Sequence, residues 1–210
     1  MNKLTKCSIL SVFSTAICIS SASAAVIVPQ SISLLSGTKT NETPLSRMID
    51  GSGLSDLSLS ADLLTVTHNS TDMNEARLFT SSEASVRLDL GNVFNIEKAW
   101  YWNTNTIAFN DVGFISYNFL DSQFSSIFNS GNVSLPGPFN LVDMPSNLYD
   151  TGNVVGQVRY VDVVFIRRSG GSVFAPGEIR FEGTVVPEPL TILGTFTVMA
   201  FLPLMKAQKK

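Results

Sequence analysis

The chain has 210 residues, 44% of them apolar and 15% charged, with a formal net charge of −3. That length suits one domain with appendages and a core of useful size, and the composition excludes a disordered, highly charged tail protein. No Lys/Arg cluster lies in the interior, which argues against nucleic-acid binding, and two cysteines are too few for a disulfide framework or a four-thiolate zinc site.

Lys3 and Lys6 precede a short apolar run from Cys7 to Ile19, and Ala22-Ser23-Ala24 supplies a small-x-small cleavage pattern. Residues 1–24 are therefore expected to be a secretory signal, with Ala25 the new N-terminus. Cys7 and Cys18 both fall inside it, so the mature chain is expected to carry no thiol.

From Ala25 to Val186 no long stretch keeps a helical period. Short runs rich in Val, Ile, Phe, Tyr and Trp alternate instead with Gly, Asn, Asp and Ser. Val26-Ile27-Val28 and Ile32-Ser33-Leu34 predict an opening strand. Ser85 to Leu90 alternates cleanly, with Val86, Leu88 and Leu90 on one face; Gly91-Asn92 reads as a turn, and Ile96 to Trp102 as the next strand. Trp100 and Trp102 share a face and read as core rather than as a sugar platform, although Ile96 and Lys98 on that same face give mixed signals. Val112 to Leu120 is strand-like. Ser125 to Asp150, rich in Gly, Pro, Asn and Ser, reads as long surface connections, where binding would concentrate. In Arg159 to Arg168, Val161, Val163 and Phe165 face one way and Tyr160, Asp162, Val164 and Ile166 the other. Ile179, Phe181, Gly183 and Val185 alternate with Arg180, Glu182 and Thr184. Strands this short and this closely spaced predict an all-β class, a two-sheet sandwich or jelly roll. There is no internal repeat, which excludes propellers and solenoids.

Pro187-Glu188-Pro189 ends the last strand, because proline cannot donate to a ladder. Leu190 to Met205 runs without a charge, and Lys206, Lys209 and Lys210 close the chain. As a helix the run would reach about 24 Å, somewhat short of a ~30 Å hydrocarbon core. The terminal lysines favour the cytoplasmic side, which sets everything before Pro187 outside. A simple membrane anchor is one reading. The Val186-Pro187-Glu188-Pro189 motif, the apolar segment with Leu193-Gly194 and the basic end together resemble a PEP-CTERM sorting signal, with lysine where arginine is commoner. The resemblance implies an exported protein of a Gram-negative bacterium. It would be processed by signal peptidase and an exosortase, held briefly in the inner membrane by residues 190–205, and passed to the cell surface. Without the leader the net charge becomes −5, and without the tail as well −7.

A second resemblance runs through the middle. Met48-Ile49-Asp50-Gly51-Ser52-Gly53-Leu54-Ser55 is similar to the Asp-Gly loop of discoidin-like (F5/8 type C) domains. Val86 to Gly91 resembles that family's V-D-L-G strand, Lys98 to Asn103 the core strand after it, and Val158-Arg159-Tyr160-Val161 its A-R-Y-V segment. Gly170-Gly171 with Gly177-Glu178-Ile179-Arg180-Phe181-Glu182-Gly183 resembles the closing G-G…S-E-I-R-F-x-G. The family implies a galactose-binding-like, discoidin-like jelly-roll β-sandwich over residues 25–186, between the signal peptide and a C-terminal transmembrane sorting helix over 187–210. It also implies sugar, glycan or lipid-headgroup binding through loops at one end. The tryptophan usual after the Asp-Gly loop is absent, with Leu57 or Leu78 in its stead, and the mid-domain turn has become Asn118 to Phe124, so ligand specificity does not transfer.

Catalysis has little support. The only histidine, His68, sits in a polar, loop-like stretch, and no G-x-S-x-G elbow occurs. Asp50, Asp56, Asp62 and Asp72 lie in loop-rich sequence, but spacing marks no facing pair of the kind a glycosidase needs. By the resemblance, Asp50, Ser55 and Glu178 fall where calcium ligands belong, implying a structural Ca2+; a solvated turn is the alternative for Asp50. Asn103, Asn105, Asn110, Arg167, Arg168 and Phe174, at expected loop ends, are the candidate glycan contacts, because Asn and Arg offer paired amides and fixed donor forks to hydroxyls. The expected function is a non-catalytic carbohydrate-binding surface or matrix protein. A structural biofilm component without a ligand site, or a carbohydrate-active enzyme, remains open.

Overall fold

The computed structural model describes residues 23–39, 44–58, 62–69, 78–79, 82–103, 112–137, 143–168 and 173–187. Twelve strands are described: β1 Ala25–Ile27, β2 Ser31–Ser36, β3 Thr38–Lys39, β4 Thr67–Asn69, β5 Leu78–Phe79, β6 Glu83–Trp102, β7 Val112–Leu120, β8 Ser126–Asn129, β9 Val133–Ser134, β10 Asp143–Arg167, β11 Val173–Phe174 and β12 Ile179–Val185. A 3₁₀ turn covers Leu45–Met48. No helix among the described residues is long and apolar enough to cross a membrane, and the expected leader and sorting segment lie almost wholly outside those residues.

Two long strands carry the architecture. β6 and β10 pair antiparallel from Glu83↔Ile166 to Trp102↔Ser146, and both belong to two layers. In the first layer, residues 83–89 of β6 pair with 160–166 of β10, flanked by β2 on one side and by β7, with β8 and β9, on the other. In the second, residues 94–102 pair with 146–158, flanked by β12 and then β1, with β4 on the far edge of β10. A small sheet of β3, β5 and β11 lies apart from this path.

The change of layer is made at Gly91, which stands at φ +86°. Read from sequence, Gly91-Asn92 was expected to reverse the chain. Instead it bends one continuous strand, because a left-handed glycine inside a paired strand kinks the ladder without ending it. Asp89 Oδ1 accepts the Gly91 N–H at 2.7 Å and holds the bend.

The layers close on one another through their apolar faces. Val86, Leu88, Val161, Val163, Phe165 and Phe119 from the first meet Ile96, Tyr101, Ile179 and Phe181 from the second, all essentially inaccessible. Phe181 stands edge-on to Tyr117 and Phe119 at 6.4 and 6.3 Å, and Tyr101 lies 6.0 Å from Phe165. The all-β sandwich expected from the short alternating strands is the architecture found.

The mixed face of the Ile96–Trp102 segment has a local cause. The ladder slips between Ile96 and Lys98 on both neighbouring strands, so Glu97 is a bulge that switches the alternation. Ile96, Ala99 and Tyr101 then point inward, while Trp100 and Trp102 face a second cluster formed with Leu63 and Val66. The Trp102 indole N–H donates to the Val66 carbonyl at 2.7 Å. Both tryptophans are core.

Two further expectations need correction. The stretch Asp143–Asp150 is the first part of β10 and not a surface connection; its Pro, Asn and Asp content hid a strand stabilised by pairing with Ala99–Trp102. His68 is not a loop residue either. It is fully buried in β4, opposite Met144 and bridged to Leu54, because the 54–68 segment folds over the second layer.

Candidate functional site

Strand and loop ends gather at one end of the sandwich. Asn103, just past β6, is 1% exposed; its amide Nδ2–H donates to the Val112 carbonyl at 3.0 Å, and its Oδ1 accepts the Tyr101 hydroxyl at 3.3 Å. Arg167 closes β10 and is also buried. Arg168 is half-buried, and its guanidinium donates to the carbonyls of Leu135 and Pro136 at 2.6 and 3.1 Å. β7 passes so close that a Cβ on Gly113 would lie 2.7 Å from the Arg168 Cα, so only glycine fits there. Of the expected glycan contacts, Asn103 and Arg167 are therefore packed inside this end, and Arg168 ties down the 135–136 segment. Asn105 and Asn110 lie outside the described residues. Phe174 is placed by its backbone alone, opposite Leu78 in the small sheet.

The Asp50 loop is joined to β12, but not through convergent oxygen ligands. Glu178 is fully buried, and its carboxylate accepts the Gly51 N–H at 3.2–3.3 Å. It is ion-paired with Arg180, which also donates to the Ile49 carbonyl at 2.9 Å. Asp50 is exposed and Oδ1 accepts the Ser52 N–H, while exposed Ser55 accepts the Thr67 N–H through Oγ. Among the described residues no three acidic, histidine or cysteine side chains form a metal cluster. The guanidinium already faces the Glu178 carboxylate and would repel a dication beside it, so this arrangement does not fit the calcium expected at Asp50, Ser55 and Glu178.

Burial pushes the Glu178 carboxyl up from 4.5 to about 8, opposed by Arg180 and by the Gly51 N–H; burial also lowers Arg180. The folded chain thus holds a proton that the unfolded chain loses near its ordinary carboxylate value. The stabilisation linked to that proton is complete below pH ~4.5 and is lost as pH rises through about 8. Glu178→Gln, which cannot titrate, should flatten the stability–pH profile over that window in urea titrations; a slope equal to wild type's would contradict the assignment.

A cleft of ≈ 240 Å³ opens between the layers, lined by Ile115, Tyr117 and Val133 to Pro136 on one side and by Ser146 to Tyr149 on the other. Tyr117 and Tyr149 stack at 5.6 Å and 25°. The Tyr117 hydroxyl is buried and has no hydrogen-bond partner among the described residues. Burial raises its pKa, so it remains an O–H donor. Asn147 is oriented by donating to the Tyr101 carbonyl at 3.1 Å, and Ser134 and Ser146 add hydroxyls to the wall. Sequence reasoning did not find this cleft. Its two tyrosines belong to different layers and meet only through the fold.

Seven other described acidic side chains have partners. Asp56, Asp62, Asp121 and Asp150 each accept a backbone N–H two residues on, and Asp89, Asp162 and Glu182 pair with Arg159, Arg87 and Lys98.

No protein-family model matches the sequence, and no curated protein matches it either. Solved structures do. The C-terminal domain of a chitobiase from Bacteroides fragilis superposes with a TM-score of 0.52 at 14% identity, covering 77% of this chain and 99% of that one. An F-lectin from striped bass (Morone saxatilis) serum gives 0.52 at 12%, covering 76% of this chain and 48% of that one. The family 32 carbohydrate-binding module of C. perfringens NanJ, in complex with galactose, gives 0.50 at 11%, covering 76% and 98%. The fold is a discoidin-like β-sandwich.

Proposed function

We propose that the sandwich is a non-catalytic carbohydrate-binding module of an exported bacterial surface protein, and that the cleft between the layers takes the sugar. The carrying observation is a cleft whose walls bring the stacked Tyr117 and Tyr149 together with Asn147, Ser134 and Ser146. Stacked aromatics and a few fixed polar groups suit a sugar ring, apolar on its faces and polar at its rim. The fold shared with a galactose-bound module supports the same reading. The pairing of Asp89, Asp162, Glu178 and Glu182 with Arg159, Arg87, Arg180 and Lys98 supports the non-catalytic reading, since those carboxylates are already held by cations.

The leader and the Pro187-Glu188-Pro189 tail extend the proposal. Signal peptidase and an exosortase would process the chain of a Gram-negative bacterium, the 190–205 segment would anchor it transiently in the inner membrane, and the module would act at the surface or in the matrix. Pro187, exposed just beyond β12, is accessible for such recognition.

A glycan array probed with the full chain, with calcium and with chelator, tests the reading. Binding to uncharged glycans that persists in chelator is expected. Tyr149→Ala should weaken it about tenfold or more, roughly 1.4 kcal/mol. Tyr117→Phe should leave thermal stability unchanged or raised, since it deletes a buried group with no partner among the described residues. A folded protein that binds no glycan would be a structural matrix component instead.

A further inference from the structure

The outer face of the first layer carries a second constellation, apart from the cleft. Phe124, in the turn between β7 and β8, is 51% exposed and stacks on Tyr160 of β10 with ring centroids 4.4 Å apart and planes 23° apart. The turn is fixed from below: Asp121 Oδ1 accepts the N–H groups of Gln123 and Ser125, and the Asp121 carbonyl accepts that of Phe124. Phe124 is held at φ +64°, a left-handed conformation disfavoured for an aromatic residue.

Around the stack the charges cancel. Arg87 donates to both Asp162 oxygens at 2.6 and 2.7 Å, and its guanidinium lies 4.6 Å from the Phe124 ring centre. Arg159 pairs with Asp89 at 2.9 Å and lies 5.6 Å from the Tyr160 ring centre. The register sets Tyr160 beside Asp89 and Asp162 beside Arg87, with exposed Ser31 and Ser33 of β2 extending the two rows.

We propose that this face is a second glycan-contact surface. Phe124 on Tyr160 is the platform for an uncharged sugar ring, and the Arg87–Asp162 and Arg159–Asp89 pairs are the partners of its hydroxyls. The occupant follows from the charge balance. Each guanidinium has its own carboxylate, so the surface offers no net positive charge to a phosphate, sulfate or uronate. It still presents fixed donors and acceptors at the rim of an aromatic face, the combination that a neutral polyol uses. A protein partner of any size would need a broader apolar patch than one phenyl ring. The proposal extends the carbohydrate reading to a second surface, and its test separates the two.

The full chain, in mild detergent and with ring-labelled Phe and Tyr, is titrated by NMR with uncharged galacto-, fuco- and gluco-oligosaccharides and with their sulfated forms. Shifts of the Phe124 and Tyr160 rings are expected with a neutral probe, together with a second binding event in calorimetry. Phe124→Ala should remove that event or weaken it at least tenfold, while the Tyr149→Ala-sensitive event persists. Phe124→Trp, which keeps the platform, should retain it. Loss in Phe124→Ala with no effect of Tyr149→Ala would keep this face and discard the cleft. The proposal is overturned by unmoved Phe124 and Tyr160 resonances, by unchanged binding in Phe124→Ala, or by preference for the sulfated probes. It also fails if Phe124→Ala only lowers the melting temperature.

Discussion

Arg180→Met should destabilise the protein by about 3–5 kcal/mol at pH 9 and by much less at pH 5. Removing one member of a buried ion pair costs that much because the survivor is left charged without compensation. Here the survivor is Glu178, fully inaccessible and otherwise held only by the Gly51 N–H. Burial raises its pKa to about 8, so at pH 5 it is neutral inside the fold and hardly needs the guanidinium. At pH 9 it must either stay charged and unpaired or take up a proton against the pH. Replacing both members, Glu178→Gln with Arg180→Met, should cost less at pH 9 than Arg180→Met alone. Urea unfolding of wild type, Glu178→Gln, Arg180→Met and the double variant at both pH values measures this. A loss independent of pH would mean that Arg180 acts only through its bond to the Ile49 carbonyl.

Phe181→Ala is expected to cost about 3–5 kcal/mol at any pH. Its ring meets Tyr117 and Phe119 edge-on across the sandwich, so truncation opens a void where neither layer can collapse without moving the other. Because both layers share β6 and β10, the denaturant midpoint should fall with the slope unchanged. A loss under 1 kcal/mol would show that neighbouring rings refill the space. Tyr117 lines the cleft, so the glycan binding proposed for it should weaken as well.

How much of this was legible in the sequence depended on whether a segment obeyed one period. Val86, Leu88 and Leu90, and later Val161, Val163 and Phe165, keep strict alternation, and their inward faces could be read directly. The Glu97 bulge breaks that rule by one residue, which is why Ile96 and Lys98 looked like face-mates of the tryptophans. Gly91-Asn92 has the composition of a turn, and only the partner strands decide that it bends instead of reversing. Asp143–Asp150 has no strand signature, since its place is set by pairing with β6. For the candidate sites the limit is different. The Asp-Gly loop and Glu178 were identified as neighbours, but that the cation beside them is a guanidinium depends on Arg180 turning inward. Its alternation with Ile179 and Phe181 does not show which way it turns. Tyr117 with Tyr149, and Phe124 with Tyr160, are tertiary pairs with no local trace.

The sharing of β6 and β10 between layers also constrains how the chain can be made. β6 is twenty residues long, and its principal partner ends only at Arg167. During synthesis β2 can pair with one edge of the first half of β6, but its β10 edge waits unpaired while some sixty further residues emerge. The polar residues spaced along it, Arg87, Asp89, Asn92, Asn95 and Lys98, interrupt any uniformly apolar edge during that interval. Residues that later serve the finished surface therefore first protect the nascent chain from its own copies.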